Sequence, residues 1–329
     1  MKIIDLFSGI GGFSLGFKRA GYHFTEHYFS EIDKHAIANY KYNFPNAKYI
    51  GDITSIHGGD FADIDIITFG SPCQDFSLAG KRKGLKGGKS SLIEYAITLV
   101  ARLRPSVFIW ENVKGAFSSN SGADFWAIIQ AFANIGGYRL EWQLLNTSWV
   151  LPQNRERIYL IGHLAGRSES GVFPIEENDF SFTKEKKYQF HPELCGTLKA
   201  NGNMNTDDTY IIPRKAKALT GGGHSGGLHS DMTIIKQLAR GKNKGADLTI
   251  CPTISSNAFQ ENNLLDGIRR LTEIECERLQ GFSDNWTQYG NYKNTIKRIS
   301  RTRRYKLIGN AVTVDIVELI AKRLKLIQQ

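Results

Sequence analysis

The sequence predicts an α/β protein whose core is an open, mostly parallel β-sheet with helices on both faces. Over the first 164 residues, short β-rich runs alternate with runs of helical periodicity. A Gly-rich turn, "SGIGG", follows the first strand, and a cysteine follows a proline at the end of another. Such alternation is typical of doubly wound sheets, in which ligands bind at the carboxyl ends of the strands. We therefore expect a functional site at that edge of the sheet.

Each predicted element follows from its local pattern. The strands are short runs rich in β-branched and aromatic residues, and the helices repeat apolar residues at three- and four-residue spacing. The first helix is expected to end at Gly21. In chain order, the predicted strands are "KIIDLF", "FTEHYFSEI", "AKYIGDI", "DIDIITFG", "SVFIWENV", "YRLEWQLLN" and "ERIYLIGHL". The predicted helices are "GGFSLGFKRAG", "DKHAIANYKYNF", "SLIEYAITLVARLR" and "ADFWAIIQAFANIGG".

A change of texture marks a second region of the chain. From about Ala165 to Leu265, Gly, Asn, Ser and Thr dominate and helical periodicity fades. Three stretches there, beginning "CGTLKANGN", "AKALTGGGH" and "CPTISSNAF", share a weak pattern that fits hairpins, although chance similarity within a loop-rich domain explains it equally well. We predict a first domain at 1–164, a smaller β-rich domain at 165–295, and a C-terminal segment, 296–329, that returns to the first domain. Its "NAVTVDIVELIAKRLKLI" is predicted to be helical.

Composition narrows the class of protein. The 329 residues are 41% hydrophobic and 22% charged, which is the profile of a globular protein and not of a disordered one. No uncharged run approaches membrane-spanning length, and the chain opens directly on a strand, so we expect a cytoplasmic protein. The four cysteines, Cys73, Cys195, Cys251 and Cys276, form no CxxC pair, which predicts neither a metal site nor disulfides. The net charge of +10 favours a polyanionic partner.

The turn after the first strand is suited to holding a ligand at a helix N-terminus. Gly9 and Gly12 let a ligand approach the backbone. A dinucleotide fingerprint that starts at Gly9 needs glycine where this chain has Ser14, so a pyrophosphate site is disfavoured. Glu31 ends the second strand and Asp52 ends the third, where carboxylates can bind ribose hydroxyls and an adenine amino group. Together these features outline an adenosine site.

Cys73 lies at the carboxyl end of the strand "DIDIITFG", directly after Pro72. A thiol in this place is either buried filler or a presented nucleophile, and the local sequence does not decide between them. The motifs elsewhere in the chain bear on the choice. Eight of them occur in order: "DLFSGIGGFSLGF", "SEID", "GDI", "GSPCQDFS", "ENV", "QNRERIYLIG", "RRLTEIECERLQGF" and "LIGNAV".

The order and approximate spacing of these motifs resemble those of DNA (cytosine-5)-methyltransferases, and the resemblance covers the whole chain. It implies a Rossmann-like, S-adenosylmethionine-dependent methyltransferase sheet with a catalytic and cofactor-binding domain at 1–164. Residues 165–265 match only in position, as the family's variable target-recognition region, within the smaller domain at 165–295.

The resemblance also implies S-adenosyl-L-methionine as the cofactor. Ile32 stands where an aromatic residue is common in the family, and Ala311 stands where serine is frequent. These departures put in doubt the strength of adenine stacking and one hydrogen bond. The residues that match cofactor-binding positions are Asp5, Phe7, Gly9, Ile10, Gly12, Glu31, Ile32, Asp52, Ile53, Pro72, Leu92, Asn310 and Ala311.

The reaction implied by the resemblance needs a nucleophile and an acid. Cytosine carbon 5 is too weakly nucleophilic to take a methyl group until a thiolate adds at carbon 6. The resemblance implies that Cys73 supplies this thiolate. Glu111 in "WENV" matches the acid at ring nitrogen 3. Arg155 and Arg157 of "RER" alternate onto one side of a strand start, and the resemblance places Arg157 near the ring oxygen. The base must be flipped out, because a stacked base cannot expose carbon 6.

Two basic stretches predict where double-stranded DNA binds. "KRKGLKGGKS" has five basic residues and "KNTIKRISRTRRYK" has seven, with no acid in either. Singly, each fits a solvated surface about as well, but on either side of a reactive thiol they fit phosphate contacts. The predicted DNA contacts are Gln74, Ser77, Lys81, Arg82, Lys83, Arg301, Arg303 and Arg304.

Three rival functions would require different features of the sequence. A tRNA cytosine-5 methyltransferase shares the catalytic frame but resembles a shorter, distinct recognition region. A non-catalytic DNA-binding regulator would be expected to lack some of Cys73, Glu111 or Arg157, and all three are present. Ser14 argues against a dehydrogenase. The sequence predicts a monomeric, sequence-specific bacterial or phage DNA methylase, with a cognate restriction endonuclease as a candidate partner.

Overall fold

A computed structural model describes residues 1–59, 61–71, 92–117, 122–180, 235–237, 246–248, 263–265 and 269–327. Its centre is a seven-stranded sheet in the order β3-β2-β1-β4-β5-β7-β6. The first five strands of that order run parallel, and β7 runs antiparallel to both of its neighbours. The strands are β1 (Lys2–Leu6), β2 (Glu26–Ser30), β3 (Lys48–Tyr49), β4 (Ile66–Gly70), β5 (Val107–Val113), β6 (Tyr138–Asn146) and β7 (Glu156–Leu164).

This topology confirms the predicted open, mostly parallel sheet. The chain leaves β1 toward β2 and β3 on one side, then crosses to β4 on the other side of β1. The connections after β1 and β4 therefore diverge, which opens a crevice at the carboxyl ends of these two strands. Both the glycine turn and the segment that leads to Cys73 begin at this crevice.

The helices within the described ranges cover both faces of the sheet, and none of them is long and apolar enough to cross a membrane. One of them begins at Arg301, inside a stretch that the sequence marked only as basic. The predicted C-terminal helix ends earlier than expected, at Arg323, because the chain continues as a short strand. The helices are α1 (Gly12–Arg19), α2 (Lys34–Asn43), α3 (Leu92–Leu103), α4 (Ala123–Ala133), α5 (Glu273–Leu279), α6 (Arg301–Asn310) and α7 (Val314–Arg323).

Two apolar layers hold the sheet, one on each face. Side chains alternate along a strand, so Ile67 and Phe108 face α3 and α4, while their neighbours Ile66 and Ile109 face α1 and α7. All four side chains are fully buried. The near-continuous apolar runs of β4 and β5 thus reflect burial on both faces, as expected of parallel strands.

Segments near both ends of the predicted second domain, 165–295, pack on the main sheet unit. Strand β8 (Ser168–Glu169) pairs with β15 (Lys325–Leu326), and Val172 lies in the apolar layer with α1 and α7. Near the C-terminal end of this domain, the Trp286 indole donates to the Ile10 carbonyl at 2.9 Å. Side chains within residues 168–175 and 271–292 therefore pack with the sheet unit, and the domain division at 165 and 295 stays a prediction.

A hairpin formed by β13 (Tyr289–Tyr292) and β14 (Thr295–Arg298) lies against α2. The Asn39 amide donates to the Tyr289 carbonyl at 2.8 Å, and the Tyr292 hydroxyl lies 2.7 Å from His35 Nδ1. Every residue of β14 is exposed. The hairpin therefore presents a strand to solvent while its partner strand holds it to the sheet unit.

A separate antiparallel sheet occupies part of the predicted second domain, with strand order β10-β9-β11-β12. Its presence agrees with the β-rich character expected there. The repeat stretches "CGTLKANGN", "AKALTGGGH" and "CPTISSNAF" lie outside the described residues, so the hairpin hypothesis stays a prediction. The strands are β9 (Ile235–Gln237), β10 (Ala246–Leu248), β11 (Asn263–Leu265) and β12 (Arg269–Arg270).

The contact of β7 with β5 depends on a glycine. Gly162 pairs with Phe108 in register, and a methyl group at Gly162 would overlap the Phe108 ring. We expect Gly162→Ala to lower the free energy of unfolding by about 1–3 kcal/mol, the usual cost of overpacking a core. The matched control is Gly59→Ala, because nothing lies within 4 Å of a Cβ at Gly59. Urea unfolding of both variants measures the difference, and equal stabilities would contradict the packing described here.

Candidate active site

The glycine turn between β1 and α1 leaves its backbone open. Gly9 has φ +52, and a Cβ placed there meets nothing within 4 Å. Gly11 has φ +84, and a side chain there would overlap the Phe44 ring. The first glycine therefore leaves room for a ligand against the main chain, and the second allows α2 to approach the turn.

The acids predicted at the ends of β2 and β3 lie beside this turn or at its rim. Glu31 accepts hydrogen bonds from Gly9 N at 2.9 Å, Ile32 N at 2.7 Å and Asp33 N at 2.9 Å. Asp52 is exposed and accepts from Thr54 N at 3.0 Å. The side chain of Ile32 is 74% exposed although it is apolar. Open backbone, two carboxylates and an uncovered apolar side chain fit an adenosine, whose hydroxyl and amino groups donate and whose ring needs an apolar cover.

Asp5 has a different role from the one predicted. It is fully buried, accepts from Thr68 Oγ1 at 2.9 Å, and lies 3.1 Å from the hydroxyls of both Ser14 and Tyr40. Burial raises the pKa of its carboxyl to about 7, against the lowering effect of these hydrogen bonds. The carboxyl is enclosed beneath the turn, which argues against the predicted contact of its side chain with the cofactor.

The same network explains the departure at Ser14. Its hydroxyl, fully buried, lies 2.9 Å from His27 Nε2 and 2.6 Å from the Tyr40 hydroxyl. Burial lowers the pKa of His27 to about 4, so the imidazole is neutral at pH 7. The position that carries the third glycine of a dinucleotide fingerprint thus holds a polar group that joins α1 to β1, β2 and α2.

Glu111 and Arg157, two of the predicted catalytic residues, form an ion pair. Arg157 Nε lies 3.1 Å from Glu111 Oε1, and each side chain is mostly enclosed. Glu111 is opposite Gly70 on β4, and a Cβ at Gly70 would lie 3.1 Å from Glu111 Oε2. The carboxylate therefore lies over the end of β4, three residues before Cys73.

Ser71, the last described residue before Cys73, is held by two side chains of β5. The Trp110 indole donates to Ser71 Oγ at 3.0 Å, and the Asn112 amide donates to the Ser71 carbonyl at 3.1 Å. Both donors are buried. Within "WENV", the sequence indicated only the acid; the further signal is a pair of hydrogen-bonding side chains, Trp110 and Asn112, within an otherwise apolar strand.

An open polar cleft adjoins the Glu111–Arg157 pair. The guanidinium of Arg157 is fixed by a 2.8 Å hydrogen bond from Nη1 to the Glu156 carbonyl. Lys114 Nζ lies 2.8 Å from Glu156 Oε2 across the cleft. The residues that line the cleft are Val113, Lys114, Gly115, Asn154, Glu156 and Arg157.

Arg155 does not join this pair in the way its predicted catalytic role requires. Its guanidinium is 3% exposed and donates to the carbonyls of Gly309 and Ala311 at 3.3 and 2.8 Å. These contacts tie Arg155 to the loop that carries Asn310, which is exposed as a cofactor contact would require. The structure therefore gives Arg155 a structural contact with the predicted cofactor segment.

The predicted DNA contacts divide into buried and exposed residues. Arg304 donates to Glu277 Oε1 and Thr287 Oγ1, both at 2.9 Å, and is buried between α5 and α6. The guanidinium is already paired away from solvent, which argues against its predicted role as a phosphate contact. Arg301 lies 2.5 Å from Glu273 but is 71% exposed, and Arg303 is exposed.

Several predicted site residues have no described position. The predicted nucleophile Cys73 and its neighbours fall between β4 and α3, where Leu92 is the first described residue and is half-buried. Their roles stay predictions. The residues concerned are Pro72, Cys73, Gln74, Ser77, Lys81, Arg82 and Lys83.

Comparison with solved structures supports the fold. The Schizosaccharomyces pombe Dnmt2 methyltransferase structure superposes with a TM-score of 0.60 at 18% identity, over 97% of this chain and 96% of that one. At this identity the likeness establishes a shared α/β fold.

Comparison of sequences establishes the family. The family model of the C-5 cytosine-specific DNA methylases matches residues 1–326 of this chain. The Type II methyltransferase M.Bsp6I of Bacillus sp. strain RFL6 is 30% identical, over 98% of this chain and 98% of the relative. The orphan methyltransferase M.SPRI of Bacillus phage SPR is 25% identical, over 98% of this chain and 97% of its own length. The chain belongs to the C-5 cytosine-specific DNA methylase family.

The buried Asp5 predicts a pH dependence of stability. A pKa of about 7 in the folded protein, against 3.8 ordinarily, stabilises the fold at low pH, and this contribution is lost as the pH rises through 7. The difference corresponds to on the order of 4 kcal/mol. As the pH rises from 5 to 8, we expect the free energy of unfolding of Asp5→Asn to increase relative to that of wild type, because only wild type loses this contribution. Urea unfolding at each pH measures the difference.

His27 is present in both wild type and Asp5→Asn. Its lowered pKa makes stability fall at low pH in both proteins, so this effect cancels when the two are compared. The control is Asp63→Asn, which changes an exposed carboxylate. A constant difference between Asp5→Asn and wild type across this pH range would show that Asp5 titrates normally.

Proposed function

We propose that the protein methylates carbon 5 of cytosine at a specific sequence in double-stranded DNA, through a covalent bond between Cys73 and carbon 6 of a flipped-out base. The observation that carries the proposal is the Glu111–Arg157 pair at the end of β4, where the chain leads into Cys73. This arrangement supports a mechanism in which Glu111 and Arg157 contact the cytosine ring while the Cys73 thiolate, in the segment after β4, attacks the same ring. Membership of the family supports the substrate.

The steps assign one task to each residue. The Cys73 thiolate forms a bond to carbon 6, and the electron pair moves toward carbon 5 while Glu111 hydrogen-bonds or protonates ring nitrogen 3. S-Adenosylmethionine, when bound, supplies the methyl group that carbon 5 takes. Loss of the carbon 5 proton to a base then restores the double bond and breaks the sulfur–carbon bond.

Arg157 supports both the acid and the base that enters the site. Its guanidinium has donors beyond those that face Glu111 and the Glu156 carbonyl, and an arginine can hold several acceptors in fixed directions. A donor left toward the cleft can bind the ring oxygen of cytosine. Because the pair is mostly enclosed, these bonds are stronger than they would be in bulk solvent.

The cofactor is held, in this proposal, at the glycine turn. Gly9 offers open backbone, Glu31 and Asp52 offer carboxylates, and Ile32 and Asn310 lie exposed near the rim or the adjoining loop. The same crevice adjoins the end of β4. A cofactor held there would supply its methyl group close to the segment that leads into Cys73.

The predicted division of labour in DNA binding is proposed in modified form. Residues 165–265, the predicted target-recognition region, would choose the sequence. The remaining free cations of the C-terminal basic stretch are exposed, and no described carboxylate lies within ion-pair distance of them. These residues are Lys293, Lys297, Arg298 and Arg303.

Other expectations remain predictions. A monomeric state, a cytoplasmic location and a cognate restriction endonuclease follow from the proposed DNA substrate and the resemblance. The relatives bear on the last point from both sides, since one is named a Type II methyltransferase and the other an orphan. Bisulfite sequencing of DNA from cells that express the protein would give the target sequence directly.

The role of Cys73 is tested by its removal. We expect Cys73→Ala to lower methyl transfer to duplex DNA at least about a hundredfold, because the covalent step is lost, while DNA affinity is kept. Labelled cofactor measures transfer, and gel-shift titration measures binding. Transfer RNA is assayed in parallel, and methylation of tRNA in preference to duplex DNA would favour the rival substrate.

The matched control is Cys276→Ala, which removes a buried thiol on α5. It should retain activity. Turnover of Cys73→Ala within tenfold of wild type would exclude nucleophilic catalysis by this thiol.

The exposed cations on and near β14 predict a salt effect. Replacing Lys297, Arg298 and Arg303 with alanine should weaken binding to every duplex and flatten the log–log salt dependence by roughly one unit per lost phosphate contact. The methylated sequence should stay the same, because phosphate contacts carry no base information. Lys322→Ala with Lys325→Ala, exposed cations elsewhere, is the control. A changed target sequence with an unchanged salt slope would refute this assignment.

A further inference from the structure

Residues 309–313, called the loop below, comprise the last two residues of α6 and the three residues that lead to α7, and they are tied to the segment that leads into β7. The Arg155 guanidinium donates to the carbonyls of Gly309 and Ala311 at 3.3 and 2.8 Å. Arg155 is 3% exposed, so these bonds are shielded from water. A planar guanidinium can serve two carbonyls at once, whereas a lysine ammonium lacks that fixed fork.

A second link runs between the same two segments. Thr147 Oγ1 lies 2.7 Å from Thr313 Oγ1, and Thr313 Oγ1 donates to Gln280 Oε1 at 3.2 Å. The Thr147 amide donates to the Arg155 carbonyl at 2.9 Å, which closes the connection. All of these side chains are buried. The loop is thus held at both its ends, by Arg155 near its start and by Thr313 at its finish.

The other side of the loop touches the glycine turn. A Cβ at Gly12 would lie 2.6 Å from Val312 Cγ2 and 3.1 Å from the Val312 carbonyl. The first residue of α1 therefore packs directly against the middle of the loop. Any shift of the loop would move a wall of the turn whose backbone is open at Gly9.

We infer that Arg155 is a positioning residue for the cofactor: it fixes loop 309–313, and with it Asn310 and the wall of the glycine turn, to the strand that carries Arg157. The inference rests on the proposed function, because it takes the glycine turn as the cofactor site. It assigns the two arginines of "RER" to different ligands, Arg155 through the loop to the cofactor and Arg157 to the base.

The assignment follows from what each guanidinium contacts. Arg157 lies 3.1 Å from Glu111 beside the open cleft, whereas Arg155 contacts the backbone of the loop. Loss of the Arg155 bonds would leave two enclosed carbonyls without these donors, which favours a displaced loop. The base-binding pair keeps its own contacts in that case, so the effect should appear in cofactor affinity and not in the chemical step.

The test compares Arg155→Lys with Arg157→Lys in the full chain. Calorimetry with S-adenosylhomocysteine, without DNA, gives cofactor affinity, and methylation of duplex DNA gives KM for S-adenosylmethionine and kcat. For Arg155→Lys we expect Kd and KM for the cofactor to rise about tenfold, and kcat at saturating cofactor to stay within about threefold of wild type. For Arg157→Lys we expect the reverse, a large fall in kcat with cofactor Kd unchanged.

Thr313→Val provides a second route if Arg155→Lys does not fold, which thermal unfolding would reveal. Valine keeps the shape and removes the bonds to Thr147 and Gln280, so cofactor Kd should again rise while kcat is kept. Unchanged cofactor Kd in whichever variants fold, or a fall in kcat alone for Arg155→Lys, would overturn the inference. Wild-type protein that binds no S-adenosylhomocysteine would instead refute the proposed function, and the two failures are thereby distinguished.

Discussion

Strand β5 lies between β4 and β7, and its register with these neighbours sets the geometry of the candidate site. Glu111 is opposite Gly70 on one side, and Val113 is opposite Arg157 on the other. Because side chains alternate along strands, residues 111 and 113 share a face, and Arg157 reaches Glu111 diagonally. A slip of one residue would turn the carboxylate to the opposite face and separate the pair. Apolar packing on both faces, with Gly162 admitting the Phe108 ring, holds that register.

Polar side chains of the motifs serve the structure more often than their place in a motif suggests. Asp5 and Ser14 form a buried network below the glycine turn, and Trp110 and Asn112 fix Ser71. A buried polar group is costly unless it is paired, so each of these side chains specifies one arrangement of the backbone around it. The motifs therefore record the support of the site as well as its chemistry.

The segment "LTEIECER" illustrates the same division. Thr272 and Glu275 form a reciprocal cap at the start of α5. Glu273 pairs with Arg301 and Glu277 with Arg304, so the acids of α5 meet the arginines of α6. A stretch without acids in sequence is thus partly neutralised in space by acids about 27 residues earlier. The net positive surface that remains is narrower than the sequence indicates.

The sequence by itself determined the order of strands and helices over the first 164 residues, the glycine turn and the acids at the strand ends, and it singled out Glu111 and Arg157 as candidates. These follow from local periodicity, from Gly and Pro positions, and from motifs whose spacing matches a known family. It did not determine the burial of Asp5, the pairing of Arg304, the carbonyl contacts of Arg155 or the extent of the sheet unit. Those depend on residues far apart in the chain, and a side chain's partners are set by what the fold brings against it. Only the tertiary structure could separate the residues that meet a ligand from those that hold them in place.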